Sequence, residues 1–222
     1  MAVTIRGGKL GCGKTAGATW DVWREINKGI NCFVNWHIDF SPLYKLERTG
    51  WRGRMWRVWL KMTLQKEKMG KVYYFEDLEG LYDLRQGHAF YDEAHQDISA
   101  REYVKLPKQF IKKLTLSRHY RLNLDFITQH TGQLDCYPKR IANYFQKFFK
   151  FWFIYCWKEW DGDAIEILAN PALPRPKSIA WGFHIYPKIL WKCYDSFVLP
   201  DEKEQFKLEP MWSVDKFKQI YG

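Results

Sequence analysis

The eight residues from Gly8 to Thr15 constrain this chain most, because they match the pattern G-x-x-x-x-G-K-[ST] at every fixed position. Glycines let backbone N–H groups turn inward toward phosphate oxygens. Lys14 brings a mobile positive charge to the β- and γ-phosphates, and the Thr15 hydroxyl is a ligand for Mg²⁺. The residues predicted to contact the nucleotide are Gly8, Lys9, Leu10, Gly11, Cys12, Gly13, Lys14 and Thr15.

The segments on either side of this loop support a nucleotide site. Val3 to Ile5 is a short β-branched run, and residues 15–28 are typical of a helix that ends before Gly29. A strand, a glycine-rich loop and a helix in this order place the phosphates at the helix N-terminus. This context favours phosphate binding over the alternative of an ordinary glycine-rich turn.

Strand-like and helix-like segments alternate through the first two thirds of the chain. Strands are predicted at 30–36, 72–75, 88–91 and 124–129, and helices at 51–69 and 107–117. This alternation predicts an α/β fold with a mostly parallel central sheet that is flanked by helices. The residues leave the order of the strands open.

The last third of the chain has a different character. Asp161-Gly162 lies between two strand-like runs, at 148–160 and 164–168, which predicts a C-terminal β-hairpin. We expect residues 1–199 to form one domain that includes this hairpin. Residues 200–222 are predicted to be either an arm around a neighbouring subunit or a flexible tail.

Two carboxylates follow the predicted strand at 88–91 and form a second part of the site. Parallel sheets bind ligands at the C-terminal ends of their strands, where Asp92 and Glu93 lie. Asp92 is predicted to hold Mg²⁺, and Glu93 to accept a proton from the attacking water. Gln129 and Thr128 end the next strand, where a polar side chain would sense the γ-phosphate or simply meet solvent.

Four segments together resemble the zonular-occludens-toxin-like ATPases, over roughly residues 1–150. They are the loop at 8–15, Tyr91–His95, Ser117–His119 and Phe126–His130. That family belongs to the FtsK/HerA superfamily, which includes genome-packaging ATPases of tailless, membrane-containing viruses. The resemblance implies a RecA-like P-loop NTPase of the additional-strand, catalytic-glutamate type. It also implies ATP and Mg²⁺ as cofactors, and a homo-oligomeric ring, usually a hexamer.

The resemblance further implies that the ring moves DNA or extrudes a phage through a central channel. Lys14, Glu93 and Gln129 keep the catalytic roles given above. Arg118 becomes a candidate arginine finger that reaches into the neighbouring subunit's site. The alternatives to this arginine are Arg101, Arg121 and Arg140.

The chain carries a formal net charge of +10, which predicts an anionic partner larger than ATP, with nucleic acid first. A basic surface that only confers solubility is the alternative. The predicted DNA contacts are Arg52, Arg54, Arg57, Lys139 and Arg140. Trp51, Met55 and Trp59 recur among them at helical spacing, so these apolar residues can equally form the buried face of a helix.

Composition excludes other classes of protein. The five cysteines include no C-x-x-C pair, which argues against a disulfide framework and a zinc site. The longest apolar run, Phe151 to Trp157, is far shorter than the ~20 residues of a membrane span. Phage-assembly members of the toxin-like group carry such a span after the ATPase domain, so this difference favours the packaging branch.

The predicted function is therefore a DNA-translocating ATPase that packages viral genomic DNA into a preformed capsid. The predicted location is the host-cell cytoplasm or the virion, with capsid or membrane-vertex proteins as further partners. The first alternative is an ATPase that drives assembly and extrusion of a filamentous phage. The more distant alternative is a small-molecule kinase on the same fold.

Overall fold

A computed structural model describes residues 2–45, 69–99, 106–129, 131–152, 154–184, 188–195, 210–213, 215–216 and 219. The strands are β1 (Val3–Gly7), β2 (Cys32–Val34), β3 (His37–Ile38), β4 (Val72–Tyr74), β5 (Gly87–Tyr91), β6 (Leu122–Thr128), β7 (Tyr144–Phe151), β8 (Ile154–Asp161), β9 (Ala180–His184) and β10 (Tyr194–Asp195). The α-helices are α1 (Lys14–Asn27), α2 (Ser41–Lys45), α3 (Gly80–Asp83), α4 (Lys108–Thr115), α5 (Cys136–Ile141) and α6 (Ala164–Ala169). Short 3₁₀ turns cover Thr131–Gln133 and Lys188–Lys192.

An eight-stranded sheet organises the fold, in the order β4-β2-β5-β6-β1-β7-β8-β9. Strands β4 to β7 of this order pair in parallel, and β7, β8 and β9 pair antiparallel. The predicted α/β fold with a mostly parallel sheet and a C-terminal hairpin is confirmed. Strand β6 lies between β5 and β1, which is the extra strand expected of the additional-strand class.

The central strands are buried on both faces, as parallel strands covered by helices must be. Ile5 and Phe126 pack with Phe110 of α4 on one face, and Phe90 packs with Val22 of α1 on the other. Two apolar layers therefore hold the sheet in place. The helices predicted beside the loop and at 107–117 contribute one layer each.

The hairpin lies at a different position from the one predicted. Strands β7 and β8 meet at Trp152, and residues 164–168 are helical rather than extended. In this helix Ala164 and Ile165 are buried against the core, so the apolar residues serve a helix face and not a strand face. Gly162 is needed because a Cβ there would overlap the carbonyl oxygen of Ala142. The Asp-Gly pair thus marks a close backbone approach at the end of β8.

Part of the segment after residue 200 folds back onto its own chain. Trp212 is buried, and its backbone exchanges hydrogen bonds of 3.0 and 3.3 Å with Val72 at the edge of β4. This contact covers part of the outer edge of β4, where unpaired backbone groups would otherwise be available to another strand. The predicted boundary between residues 199 and 200 stays a prediction.

Two further predictions concern a helix at 51–69 and the lack of a membrane-spanning segment. The helix predicted at 51–69 lies outside them except for Met69. Across the part of the chain that the structure describes, no helix has both the length and the apolar character needed to span a bilayer.

Candidate nucleotide-binding site

The loop between β1 and α1 forms a cradle of backbone amides. Gly11 and Gly13 have φ angles of +73° and +87°, in the left-handed region that favours glycine. The first helical hydrogen bond runs from Gly17 N–H to the Gly13 carbonyl, at 2.8 Å. The amides just before Gly17 therefore face the loop without helical partners, which is the arrangement that binds an anion.

The Lys14 side chain lies over this cradle. It is buried, and its ammonium donates a 3.2 Å hydrogen bond to the carbonyl of Lys9 on the opposite side of the loop. A buried ammonium with one backbone acceptor retains two donors for phosphate oxygens. The predicted position of Lys14 at the phosphates fits this geometry.

The two left-handed glycines differ in their surroundings, which allows a matched test. A Cβ at Gly13 would overlap the ring of Tyr155 in β8, whereas a Cβ at Gly11 would have no atom within 4 Å. We expect Gly11→Ala to lower the free energy of unfolding by about 1–2 kcal/mol, which is the strain of a left-handed backbone at a residue that has a Cβ. Gly13→Ala should cost about 1–3 kcal/mol more, because the ring must move. Denaturant unfolding without nucleotide measures both, and equal losses would contradict the packing of Tyr155 on the loop.

A hydroxyl and a carboxylate meet beside the cradle. The Thr15 hydroxyl donates a 2.6 Å hydrogen bond to Asp92, which follows the end of β5. Burial raises the pKa of Asp92, while the Thr15 hydroxyl lowers it. Mg²⁺ takes one or two protein oxygens and completes its shell with phosphate and water. This donor pair fits Mg²⁺, as the sequence predicts.

Asn35 holds Asp92 in place, and sequence analysis missed it. Its side-chain oxygen accepts from the Asp92 N–H at 2.7 Å, and its amide donates to the Asp92 carbonyl at 3.0 Å. Asn35 follows β2, the neighbour of β5 in the sheet. The sequence did contain a signal for Asn35, because it is a polar residue directly after a buried strand. Assigning it to Asp92 requires knowing that β2 lies next to β5 in the sheet.

Glu93 is fixed by contacts on both sides. Its backbone has a φ of +52°, unusual for a residue with a side chain, and its N–H donates to Asp92 at 2.9 Å. The Gln129 amide donates a 2.8 Å hydrogen bond to one Glu93 oxygen. The other oxygen lies 3.4 Å from Nδ1 of His95. The structure thus brings Lys14, Thr15, Asp92, Glu93 and Gln129 to one edge of the sheet.

A buried ionic network lies directly under the loop and was also missed. Arg6 donates to Asp125 of β6 and, at 2.7 Å, to Asp21 of α1, while His88 Nε2 lies 3.1 Å from Asp125. Burial alone would raise the pKa of Asp125, but Arg6 and His88 lower it to about 2. Removing one member would leave a buried charge unpaired. The network joins three adjacent strands to the helix that carries Thr15.

The predicted arginine finger lies far from its own subunit's nucleotide edge. Arg118 is exposed and precedes β6, whereas the loop follows the C-terminal end of the parallel strand β1. The seven residues of β6 span about 23 Å, so Arg118 lies at the opposite edge of the sheet. Arg121 lies beside it, and Arg101 falls outside the described residues.

The structure describes two of the five predicted DNA contacts. Lys139 and Arg140 are in the last turn of α5, which precedes β7, and therefore also lie at the edge opposite the nucleotide. Arg52, Arg54 and Arg57 lie outside the described residues.

Two solved structures share this fold, and a third shows a weaker likeness. The N-terminal domain of zonular occludens toxin from Neisseria meningitidis is 15% identical, with a TM-score of 0.52, and the match covers 87% of this chain and 98% of that domain. Another solved ATPase domain is 8% identical, with a TM-score of 0.51, over 85% of this chain and 82% of that one. The genome packaging NTPase B204 from Sulfolobus turreted icosahedral virus 2 is 12% identical over 73% of this chain and 93% of that one, with a TM-score of 0.48.

Sequence comparison identifies the family. No curated protein sequence matches the chain closely enough to count as a relative. The family model described as zonular occludens toxin (Zot) matches residues 2–154, which is more than half of the chain. The phosphate loop, the acidic pair and the extra strand β6 all lie within the matched residues. The chain belongs to the zonular occludens toxin family and is a P-loop NTPase.

Proposed function

We propose that this protein hydrolyses ATP and uses the energy to move DNA during the assembly of a viral particle. The observation that carries hydrolysis is the pairing of Glu93 with Gln129, on the same sheet edge as the Thr15–Asp92 pair. A carboxylate held by one oxygen beside the phosphate cradle is placed to act on a water molecule. A small-molecule kinase would instead need to exclude water and bind a second substrate at this position.

The proposed reaction follows from the side chains at this edge. Loop amides and Lys14 hold the triphosphate, and Thr15 with Asp92 would hold Mg²⁺, which draws charge from the phosphate oxygens when bound. Glu93 accepts a proton from the water that attacks the γ-phosphorus. Gln129 fixes the orientation of Glu93 through its 2.8 Å hydrogen bond. We propose that its amide also detects the loss of the γ-phosphate.

Two processes are candidates for the use of this energy. Packaging of genomic DNA into a preformed capsid is the first. Assembly and extrusion of a filamentous phage is the second, and membership of the zonular occludens toxin family supports it. Both processes require the same ATPase chemistry and binding to DNA. Recruitment to a membrane in cells that produce the phage distinguishes extrusion from packaging.

The central experiment measures ATP hydrolysis with and without DNA, together with the native mass of the protein. We expect DNA to raise the hydrolysis rate and the active species to be a homo-oligomeric ring. Turnover by a monomer that needs a soluble phosphate acceptor would favour the kinase alternative. Hydrolysis that DNA leaves unchanged would contradict the translocase proposal while leaving the ATPase intact.

Affinity for DNA is expected to depend strongly on salt. The net charge of +10 and the clustered cations imply contacts with several phosphates, each of which releases a counterion. Fluorescence anisotropy at increasing salt measures this, and the slope of log K against log salt gives the number of phosphates. An affinity for DNA that stays constant between low and moderate salt would contradict electrostatic binding to the phosphates.

Arg118 is proposed to act in the site of a neighbouring subunit, since it lies at the opposite edge from its own. The Arg118→Ala protein should then bind ATP normally, while its rate of ATP hydrolysis falls by about 10³- to 10⁵-fold. Mixing it with Lys14→Ala subunits should restore part of the activity, because some interfaces combine an intact loop with an intact arginine. Mixed rings that assemble and stay inactive would count against the proposal. Arg121→Ala is measured in the same assay because Arg121 is an alternative finger, and normal hydrolysis by Arg118→Ala would shift the role to Arg101, Arg121 or Arg140.

A further inference from the structure

The outer face of the C-terminal hairpin sheet carries exposed aromatic side chains in ordered rows. In an antiparallel sheet, directly paired residues lie on the same face. Lys147, Lys158 and Trp181 form one such row across β7, β8 and β9. Phe149 and Phe183 flank Cys156 in the next row. We call these two rows the outer face.

The aromatic residues of the outer face are unusually accessible. Trp181 is 71% exposed, Phe183 59% and Phe149 42%. Large apolar side chains exposed side by side mark an interaction surface more often than a free surface. Rows along a strand are about 7 Å apart, so neighbouring rings lie within reach of one extended ligand.

The charge of the outer face is entirely positive. The acidic residues of the three strands, Glu159 and Asp161, pair with Gln146 and Tyr144 and therefore belong to the opposite face. Lys147 and Lys158 have no ion pair among the residues that the structure describes. An anionic partner is therefore the complementary one.

A cavity of about 310 Å³ opens on this face. Lys147, Lys158 and Arg175 line it together with Phe149 and Trp160, and none of its described lining residues is acidic. The Trp160 N–H is already bonded to the carbonyl of Pro176 at 3.1 Å, so its ring contributes an apolar wall. Three cations beside aromatic walls suit a phosphate with an unpaired base next to it.

We propose that the outer face binds single-stranded DNA, with phosphates at Lys147, Lys158 and Arg175 and bases stacked on Phe149 and Trp181. The proposal rests on the proposed function, in which DNA is the partner, and adds the surface and the form of the DNA. Cationic grooves with exposed aromatic rings bind single strands because every base has a stacking face. Duplex DNA hides those faces, so the aromatic rows favour the single strand.

The opposite face of the same strands touches the nucleotide loop. Tyr155 of β8 packs against Gly13, and Gly8 lies against the backbone of Phe148 in β7. One pair of strands thus lies between the outer face and the phosphate cradle. DNA on the outer face is therefore placed to change the ATPase rate through β7 and β8.

The test measures binding of a fluorescent oligothymidine by anisotropy, using the full chain. Trp181→Ala and Phe149→Ala should each weaken binding about 5- to 100-fold, as loss of one stacked base predicts. Trp181→Phe keeps a stacking ring and should bind nearly as well as the unchanged protein. Tyr144→Ala, an exposed aromatic on the other face of β7, is the matched control and should not change affinity.

Charge and stacking are tested separately. Lys147→Ala combined with Lys158→Ala should lower affinity and reduce its salt dependence, whereas the exposed Lys108→Ala on α4 should do neither. For a duplex of the same length, Trp181→Ala should change affinity little. Equal losses for duplex and single strand would overturn base stacking.

Further outcomes distinguish this proposal from the proposed function. DNA-stimulated hydrolysis that is unaffected by Trp181→Ala and Phe149→Ala would overturn the outer face and leave the translocase intact. Hydrolysis that no DNA stimulates, with no oligothymidine binding, would overturn both. Loss of binding to vesicles of anionic lipid in these variants, with oligothymidine binding unchanged, would assign the face to a membrane surface instead.

Discussion

Replacing Lys14 with alanine is expected to abolish ATP binding at micromolar concentrations while leaving the protein folded. The buried ammonium lies over the loop, where it donates a 3.2 Å hydrogen bond to the Lys9 carbonyl, and among the described residues its other two donors are left for phosphate oxygens. Each hydrogen bond to a charged group contributes about 1.5–3 kcal/mol. Losing two of them lowers affinity by about 10²- to 10⁴-fold. Isothermal titration with ATP and Mg²⁺ measures the change.

The matched control for this variant is Lys28→Ala. Lys28 is an exposed lysine at the other end of α1, where it pairs with Glu25 at 2.7 Å. Its removal changes the net charge by the same amount and should leave ATP affinity unchanged. Micromolar affinity retained by a folded Lys14→Ala protein would show that the nucleotide binds elsewhere.

Glu93→Gln is expected to separate binding from hydrolysis. Glutamine has nearly the same shape and keeps a hydrogen-bonding group toward Gln129, but it cannot take a proton from water. ATP should therefore bind as in the unchanged protein, while turnover falls by about 10²–10⁴. Single-turnover hydrolysis together with nucleotide titration measures both quantities in the same preparation.

Glu79→Gln provides the control for the chemical change. Glu79 is exposed just before α3 and follows β4, which lies four places from β1 in the sheet, so Glu79→Gln should leave turnover unchanged. If the Glu93→Gln protein hydrolyses ATP at nearly the rate of the unchanged protein, Glu93 is not the general base. Asp92 or another carboxylate would then have to be considered.

The sequence was sufficient to predict the parts of the site that are contiguous. The loop from Gly8 to Thr15 encodes its own geometry, because the glycines at 11 and 13 adopt left-handed angles and the helix begins at Lys14. The acidic pair was predicted from its place after a buried strand. These features depend on local backbone preferences and on the rule that parallel sheets bind ligands at one edge.

The hairpin shows where local pattern was insufficient. The short apolar segment after Asp161-Gly162 has the composition of a strand, yet it forms α6, in which Ala164 and Ile165 are buried against the core. Short apolar segments fit either structure, and burial against neighbouring elements decides between them. The position of the turn depended on the same tertiary contacts.

By itself the sequence determined the phosphate loop, the acidic pair and the alternation of strands and helices, because each of these arises from neighbouring residues. Only the tertiary structure decided which distant residues meet. The order of the strands places Asn35 on Asp92, Gln129 on Glu93 and Arg6 on Asp125. It also places Arg118 at the opposite edge from the loop. Such pairings depend on how strands far apart in the chain align, and no local preference specifies that alignment.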